Sequence, residues 1–468
     1  MLWENAERRR DVPAKNRIEM RTGPIVPAVM RFALPLVLSS FLQFFFNAAD
    51  TVVVGRFAGS RALAAVGATG TAVMLVSTMI MGLSTGASVV VSQAYGANDK
   101  KWLHRAVHTA IPLALLSGGI ATVVGLLISR PLLVLISTPP DVIEQSLLYI
   151  RIIYCGQLAM AVYNYAAAIL RAVGDSKRPL IFLVISGVMN VVLNLIFVIG
   201  FHLDVVGVAA ATLLSQVVSA FLTLRCLIRE EGAGYQVHLK EMRFYRNELI
   251  RMLRIGIPSG LQSAMFAIPN LMIQSAVNSF GTVTVAGNTA GANIETFQYA
   301  FMGSFMTTTM TFIGQNYGAR QYARIRKILW TTMLLNFAFA LGVGTLMRIF
   351  SPQLLSLYNT DPAVIAAGKL RIVLVASLLC LESFMDSFSA ASRGMGRSLA
   401  PMLIALIGTC LFRIVWMQTA FRMVGTIEVV YYAYPLSWIL TSIMQFFLWR
   451  HVSGSIPKEN EPLPEAIS

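Results

Sequence analysis

The chain has 468 residues, of which 56% are hydrophobic and only 13% charged, with a formal net charge of +15. That charged fraction is about half the usual value for a soluble domain, so a water-soluble globule would need a large dry core with almost no polar skin. The apolar runs are long and continuous rather than alternating, which argues against a strand-built barrel and for helices that each need roughly 20 apolar residues to cross a bilayer.

Residues 1–24 are polar and basic, with Arg8, Arg9, Arg10, Lys15, Arg17 and Arg21, and contain no apolar stretch that would make a cleavable secretory leader. The hydropathy pattern beyond them predicts twelve spans, at 28–54, 62–92, 105–128, 143–170, 179–200, 205–229, 254–280, 286–314, 325–350, 364–391, 399–422 and 428–449. The expected organisation is an N-terminal tail (1–24), an N-terminal lobe of six spans (25–229), a polar linker (230–253), a C-terminal lobe of six spans (254–450) and a C-terminal tail (451–468).

Span one carries the most informative single residue. Asp50 lies between Phe44-Phe45-Phe46 and Val52-Val53-Val54, where an ionised carboxylate costs several kcal/mol. Such a group suits a proton carrier; the alternative is a carboxyl satisfied by neighbouring helices for structure alone. Gln43 lies two turns before Asp50 on the same face. Pro35, two further turns back, lacks an N–H and predicts a kink. Span five places Asn190 and Asn194 one turn apart on one face, and span six carries Thr212. Their structural alternative is helix–helix hydrogen bonding, about 1 kcal/mol in a membrane.

In the second half, span seven has Gln262, Asn270 and Gln274 but no acid, and span eight has Glu295. Span ten has Glu382 and Asp386 one turn apart, and Arg413 in span eleven is a candidate to neutralise one of them. The five histidines (His104, His108, His202, His238, His451) read as unclustered. Neither a nucleophile–base set nor metal-ligand spacing emerges, and there is no Walker-type loop. The expectation is therefore a protein that is not an enzyme, has no cofactor or resident metal, and does not use ATP directly.

Most of the basic residues, 28 of 37, fall on one side of the predicted topology. Lys100, Lys101, Arg105, Arg171, Lys177, Arg178, Arg320, Arg324, Arg326, Lys327, Arg393, Arg397 and the cluster from Arg225 to Arg254 all lie in loops shared with the termini. That bias predicts a multi-pass protein of the cytoplasmic membrane with both termini in the cytoplasm. It also explains the net charge without nucleic acid, since no soluble segment is long enough for a folded basic surface.

The chain repeats itself at a fixed offset. Gln93-Ala94-Tyr95-Gly96-Ala97 returns as Gln315-Asn316-Tyr317-Gly318-Ala319, Arg171, Gly174, Ser176 and Pro179 return as Arg393, Gly396, Ser398 and Pro401, and Leu132, Thr138 and Pro140 return as Leu354, Thr360 and Pro362. Six spans bring the chain back to its starting side, so the halves should be parallel repeats about an axis along the membrane normal. The expected fold class is thus an all-α membrane protein of twelve transmembrane helices in two pseudo-symmetric six-helix lobes.

With the stretch Gln43 to Gly55 (QFFFNAADTVVVG), Ala62 to Gly67 (ALAAVG), the paired Gln-x-Tyr-Gly-Ala loops, Leu170 to Asp175 (LRAVGD) and Arg393-Gly394-Met395-Gly396, the chain resembles the MATE (multidrug and toxic compound extrusion) transporters over residues 25–450. The resemblance implies two lobes around a central cleft and an antiporter that exports amphipathic, often cationic small molecules in exchange for inward H⁺ or Na⁺. The family's first-lobe cation site has an acid in span one, an Asn and an acid one turn apart in span five and a Thr in span six. Asp50, Asn190, Asn194 and Thr212 fall on those positions, with Asn194 in place of the second acid, which favours protons over sodium. Protonation of the span-one acid is proposed in the family to bend the helix that here carries Pro35 and Gln43. Some members pair an acid near Glu382 with one in span seven; that partner is missing here, leaving Glu295, Glu382 and Asp386 as a possible second cation or cargo site. The competing reading is a flippase for a lipid-linked sugar or other lipid-like cargo, whose representatives often add a further pair of spans and carry a more basic cavity.

Overall fold

The computed structural model describes residues 17–136 and 138–454. Arg8, Arg9, Arg10, Lys15 and the stretch 455–468, assigned above to cytoplasmic tails, lie outside these residues. All regular structure among the described residues is helical. The first half forms α1 (Ile25–Val53), α2 (Gly59–Gly96), α3 (Lys100–Leu135), α4 (Ile143–Cys155), α5 (Gln157–Ala172), α6 (Lys177–Leu195) and α7 (Asp204–Ile228). The second forms α8 (Arg246–Met265), α9 (Ala267–Asn278), α10 (Thr282–Gly318), α11 (Tyr322–Ile349), α12 (Ser351–Ser356), α13 (Pro362–Leu374), α14 (Glu382–Gly394), α15 (Leu399–Ala405), α16 (Phe412–Gln418), α17 (Ala420–Val424) and α18 (Ile427–Gly454).

Grouped across short breaks, these helices occupy the twelve expected places. Nine of the resulting segments are long and apolar enough to cross a membrane by length and composition, among the described residues. The other three segments are α8–α9, α10 and α18. Most helices run a few residues past the apolar stretches that predicted them, and α3 and α13 among them start on an aspartate side-chain cap. The Asp99 side chain accepts from the Trp102 N–H at 2.9 Å and caps α3.

The chain divides into two compact units. The first takes the chain up to Ile80 and from Val90 to Ile250; the second takes Met81–Val89 and everything from Arg251 onward. One end of the first unit is tied by a clasp of polar contacts. Ile18 N–H donates to Gly174 O at 3.1 Å, and Arg17 pairs with Glu230 at 3.1 Å. Arg178 bridges Asp175 and Glu230, and the Tyr235 hydroxyl donates to Glu230 at 2.6 Å. Burial opposes the Glu230 charge, but Tyr235 and the guanidinium groups of Arg178 and Arg17 outweigh it and hold the carboxyl below the ordinary carboxylate range.

The second unit depends on an unusually close helix crossing. Gly82 and Gly86 of α2 face Gly256 and Gly260 of α8, two glycine pairs each four residues apart. A Cβ on Gly82 would lie 2.2 Å from Gly260 Cα, and one on Gly86 would lie 2.1 Å from Met252 O. Small residues at this spacing let backbones meet where lipid offers no hydrophobic drive. This contact explains why nine residues of α2 belong with the second unit.

Candidate functional site

In the first unit, α1 and α6 pack closely because Gly187 leaves room for Phe46. A Cβ on Gly187 would lie 1.8 Å from Phe46 Cε2. One turn beyond Phe46 comes Asp50, and two turns beyond Gly187 comes Asn194. Asn194, fully buried, donates its Nδ2 to Asp50 Oδ1 and, at 3.4 Å, to Asn190 Oδ1. Asn190 Nδ2 reaches Thr212 Oγ1 at 3.4 Å, and the Thr212 hydroxyl donates to Val208 O at 3.0 Å. The four residues singled out from sequence therefore form one run of hydrogen bonds. No Lys, Arg or His makes an ion pair with Asp50 among the described residues. Asn194 Oδ1 is buried without a partner. An orphaned buried acceptor costs about 1–3 kcal/mol, and here it sits in the same group that contacts the carboxyl.

Both helices change geometry just past this contact. After Val53 the chain makes a π-helical turn over Val54–Ala58, and after Leu195 a second over Ile196–Gly200. Val53, Val54 and Val198 share an apolar cluster with Val205 and Val208, and Tyr149 packs against it. Such π turns inside α-helices concentrate at functional positions; apart from Gly55 and Gly200 the sequence carries no sign of them. Pro35 is buried inside α1, which continues as helix from Ile25 to Val53, and the Pro35 carbonyl accepts the Ser39 hydroxyl at 2.8 Å. Gln43 is exposed and stands outside the hydrogen-bonded run.

The second unit contains a half-open cavity of about 280 Å³ lined by side chains between Phe266 and Trp438. Glu295 is 2% exposed and fully engaged: Arg371 Nε and Nη2 donate to its two oxygens at 2.9 and 2.7 Å, while Arg371 Nη1 donates to Asn288 Oδ1 at 2.7 Å. Glycines again set the geometry. A Cβ on Gly287 would lie 2.6 Å from Gly368 N, and Gly291 lies against the Arg371 side chain.

Arg413, proposed above as the neutralising partner of Glu382 or Asp386, makes no ion pair among the described residues. It donates to Ser437 Oγ at 3.0 Å and Asn270 Oδ1 at 3.3 Å and stacks 4.5 Å from the Tyr434 ring centroid. Among the described residues of this unit the acid that forms an ion pair is Glu295, and its partner Arg371 lies in another helix that no sequence pattern links to it. Glu382 lines the cavity with Oε2 buried and unpartnered. Asp386 is half-buried and is not among the lining residues.

The histidines differ from the sequence expectation. His104, His108 and His238 stack, with ring centroids 3.9 Å apart for the first pair and 5.9 Å for His108 and His238, and His104 Nε2 lies 3.0 Å from Glu241. His104, His108 and Glu241 have the proximity of a metal site, but both His108 nitrogens are already used. Nδ1 contacts His104 O at 2.8 Å, and Nε2 accepts the His238 N–H at 2.9 Å. The cluster fastens the 238–241 segment to α3 rather than offering a lone pair to an ion.

Polar groups buried within long apolar helices define a multi-pass membrane protein with sites inside its spans. Two segments, 35–196 and 258–417, each match the family model MatE, at the spacing of the internal repeat. The chain is 28% identical over 392 residues to a probable multidrug resistance protein, YoeA, of Bacillus subtilis, covering 81% of this chain and 84% of that protein. It is 23% identical over 454 residues to an FAD transporter of Shewanella oneidensis, covering 94% and 97%. A crystal structure of MATE in the bent conformation superposes with a TM-score of 0.87 at 22% identity, covering 94% of this chain and 98% of that one. The chain belongs to the MatE family, whose members are transporters and not enzymes.

Proposed function

We propose that this protein is an antiporter of the cytoplasmic membrane, with both termini in the cytoplasm, that exports amphipathic small molecules bearing positive charge in exchange for inward protons. The kinship with a probable multidrug resistance protein supports the cargo class. The observation that carries the coupling is Asp50, a carboxyl among apolar side chains that contacts Asn194 and has no cationic partner among the described residues. A permanent Lys or Arg partner would fix its charge. A neutral amide leaves it able to take and lose a proton as its access alternates between the two faces of the bilayer.

Protons are favoured over sodium by what contacts the carboxyl. The Asn194 amino group occupies the Asp50 oxygen, and a second carboxylate is missing from the position where Asn194 stands. A sodium ion would need that donor turned away and its charge met by one carboxylate alone. Exchange of one proton for one monovalent cation is electroneutral, so one pH unit, about 1.4 kcal/mol, sustains about a tenfold cargo gradient.

The test is dye export from vesicles under imposed gradients. Export should respond to a pH gradient at equal sodium on both sides. Drive by a sodium gradient alone, with no response to pH, overturns the proton assignment, and movement of a lipid-linked sugar in place of the dye favours the flippase reading.

A further inference from the structure

The cavity of the second unit holds two acids and two guanidinium groups in unequal circumstances. Glu295 and Arg371 close on each other through two short hydrogen bonds, and Asn288 takes another Arg371 donor. That pair is internally compensated and offers a ligand little net charge. The other two are not closed. Glu382 keeps a buried oxygen without a partner. Arg413, 5% exposed, is positioned by neutral groups only: Ser437, Asn270 and the Tyr434 face. Buried charges held near each other but out of contact are expensive unless something completes them.

We propose that this cavity is a binding site for a small aromatic zwitterion, with the ligand's ammonium on the Glu382 carboxylate, its carboxylate or phosphate on Arg413, and its ring against Tyr299 and Trp438. A simple cation would satisfy Glu382 and leave Arg413 facing it as a like charge. A simple anion would do the reverse. A ligand carrying both signs pairs with both, and the guanidinium fork suits a planar carboxylate. The volume, about 280 Å³ and just below the roughly 300–1,000 Å³ usual for drug-sized ligands, limits the ligand to one fused ring with short charged arms. The assignment deepens the transport reading by narrowing its cargo. It concerns equilibrium binding without any gradient, so its failure is separable from failure of coupling at Asp50.

A matched set of probes tests it: tryptophan (both charges), tryptamine (ammonium only) and indole-3-propionate (carboxylate only), titrated calorimetrically against the purified protein. Tryptophan should bind about tenfold more tightly than either analogue, the equivalent of about 1.4 kcal/mol. Arg413→Gln should reduce tryptophan to the level of tryptamine while tryptamine still binds. Glu382→Gln should reduce it to the level of indole-3-propionate while that anion still binds. The retained ligand reports that each variant is folded, and Arg413→Lys, which keeps the charge without the fork, should fall between wild type and Arg413→Gln. Tryptamine binding as tightly as tryptophan, an unchanged ratio in Arg413→Gln, or no binding of any of the three overturns the proposal.

Discussion

Asp50 and Asn194 carry the argument at the scale of single residues. Asn194 donates to the carboxyl while its own oxygen has no partner, so one substitution probes the choice of ion. Asn194→Asp places a second negative charge where the amide stood, and vesicle transport should gain dependence on sodium; a purely proton-driven variant would mean that this position does not set the ion. Glu295 makes the opposite point. Its bidentate pairing with Arg371 is a closed buried ion pair, and removing one partner of such a pair costs about 3–5 kcal/mol. Glu295→Gln should lower the thermal midpoint of the purified protein sharply, and Glu295→Leu combined with Arg371→Met should recover most of the loss.

Legibility differed between these two sites for a physical reason. A polar side chain inside an apolar run is costly and stands out in one dimension, which exposed Asp50, Asn190, Asn194, Thr212, Glu295 and Glu382. Who pairs with whom is decided by backbone approach at glycines such as Gly187, Gly287 and Gly368. One dimension does not show that, so the pairing of Arg371 with Glu295 is not legible in the sequence, and neither is the lack of a direct ion pair between Arg413 and Glu382 or Asp386.

At the scale of elements, the apolar runs located the helices, whereas their interruptions went unseen. The π turns after Asp50 and Asn194 arise where two helices and a valine cluster meet, a tertiary cause. The α2–α8 crossing was visible in principle as Gly82-x-x-x-Gly86 and Gly256-x-x-x-Gly260. Gly86→Leu should abolish it, because the side chain would have to enter the Met252 carbonyl; folded protein recovered by size-exclusion chromatography should fall severely, and far less for Gly119→Leu, whose Cβ meets open space. The clasp at Glu230 is a pH-dependent element. Its carboxyl is depressed in the folded state, so its contribution is fully present above about pH 4.3, the unfolded value, and is lost as pH falls through the folded one. Wild type should melt above Glu230→Gln at neutral pH, and the difference should vanish in acid.

For the whole molecule, two matches to one family model reproduce the internal repeat read from the sequence, and the twelve helical segments carry out its hydropathy pattern. The energetics of exchange then depend on cargo charge. A proton entering against a departing cation moves no net charge, whereas a proton entering against a zwitterion moves one, and a potential of 100 mV adds about 2.3 kcal/mol. Export of a zwitterion should therefore respond to an imposed membrane potential at zero pH gradient, and export of a monovalent cation should not.

The most direct test of the coupling mechanism is Asp50→Asn reconstituted in vesicles, assayed for uphill export under a pH gradient and for downhill exchange without one. The account predicts that uphill export disappears while downhill exchange persists in the folded protein. Uphill export at the wild-type rate would contradict it.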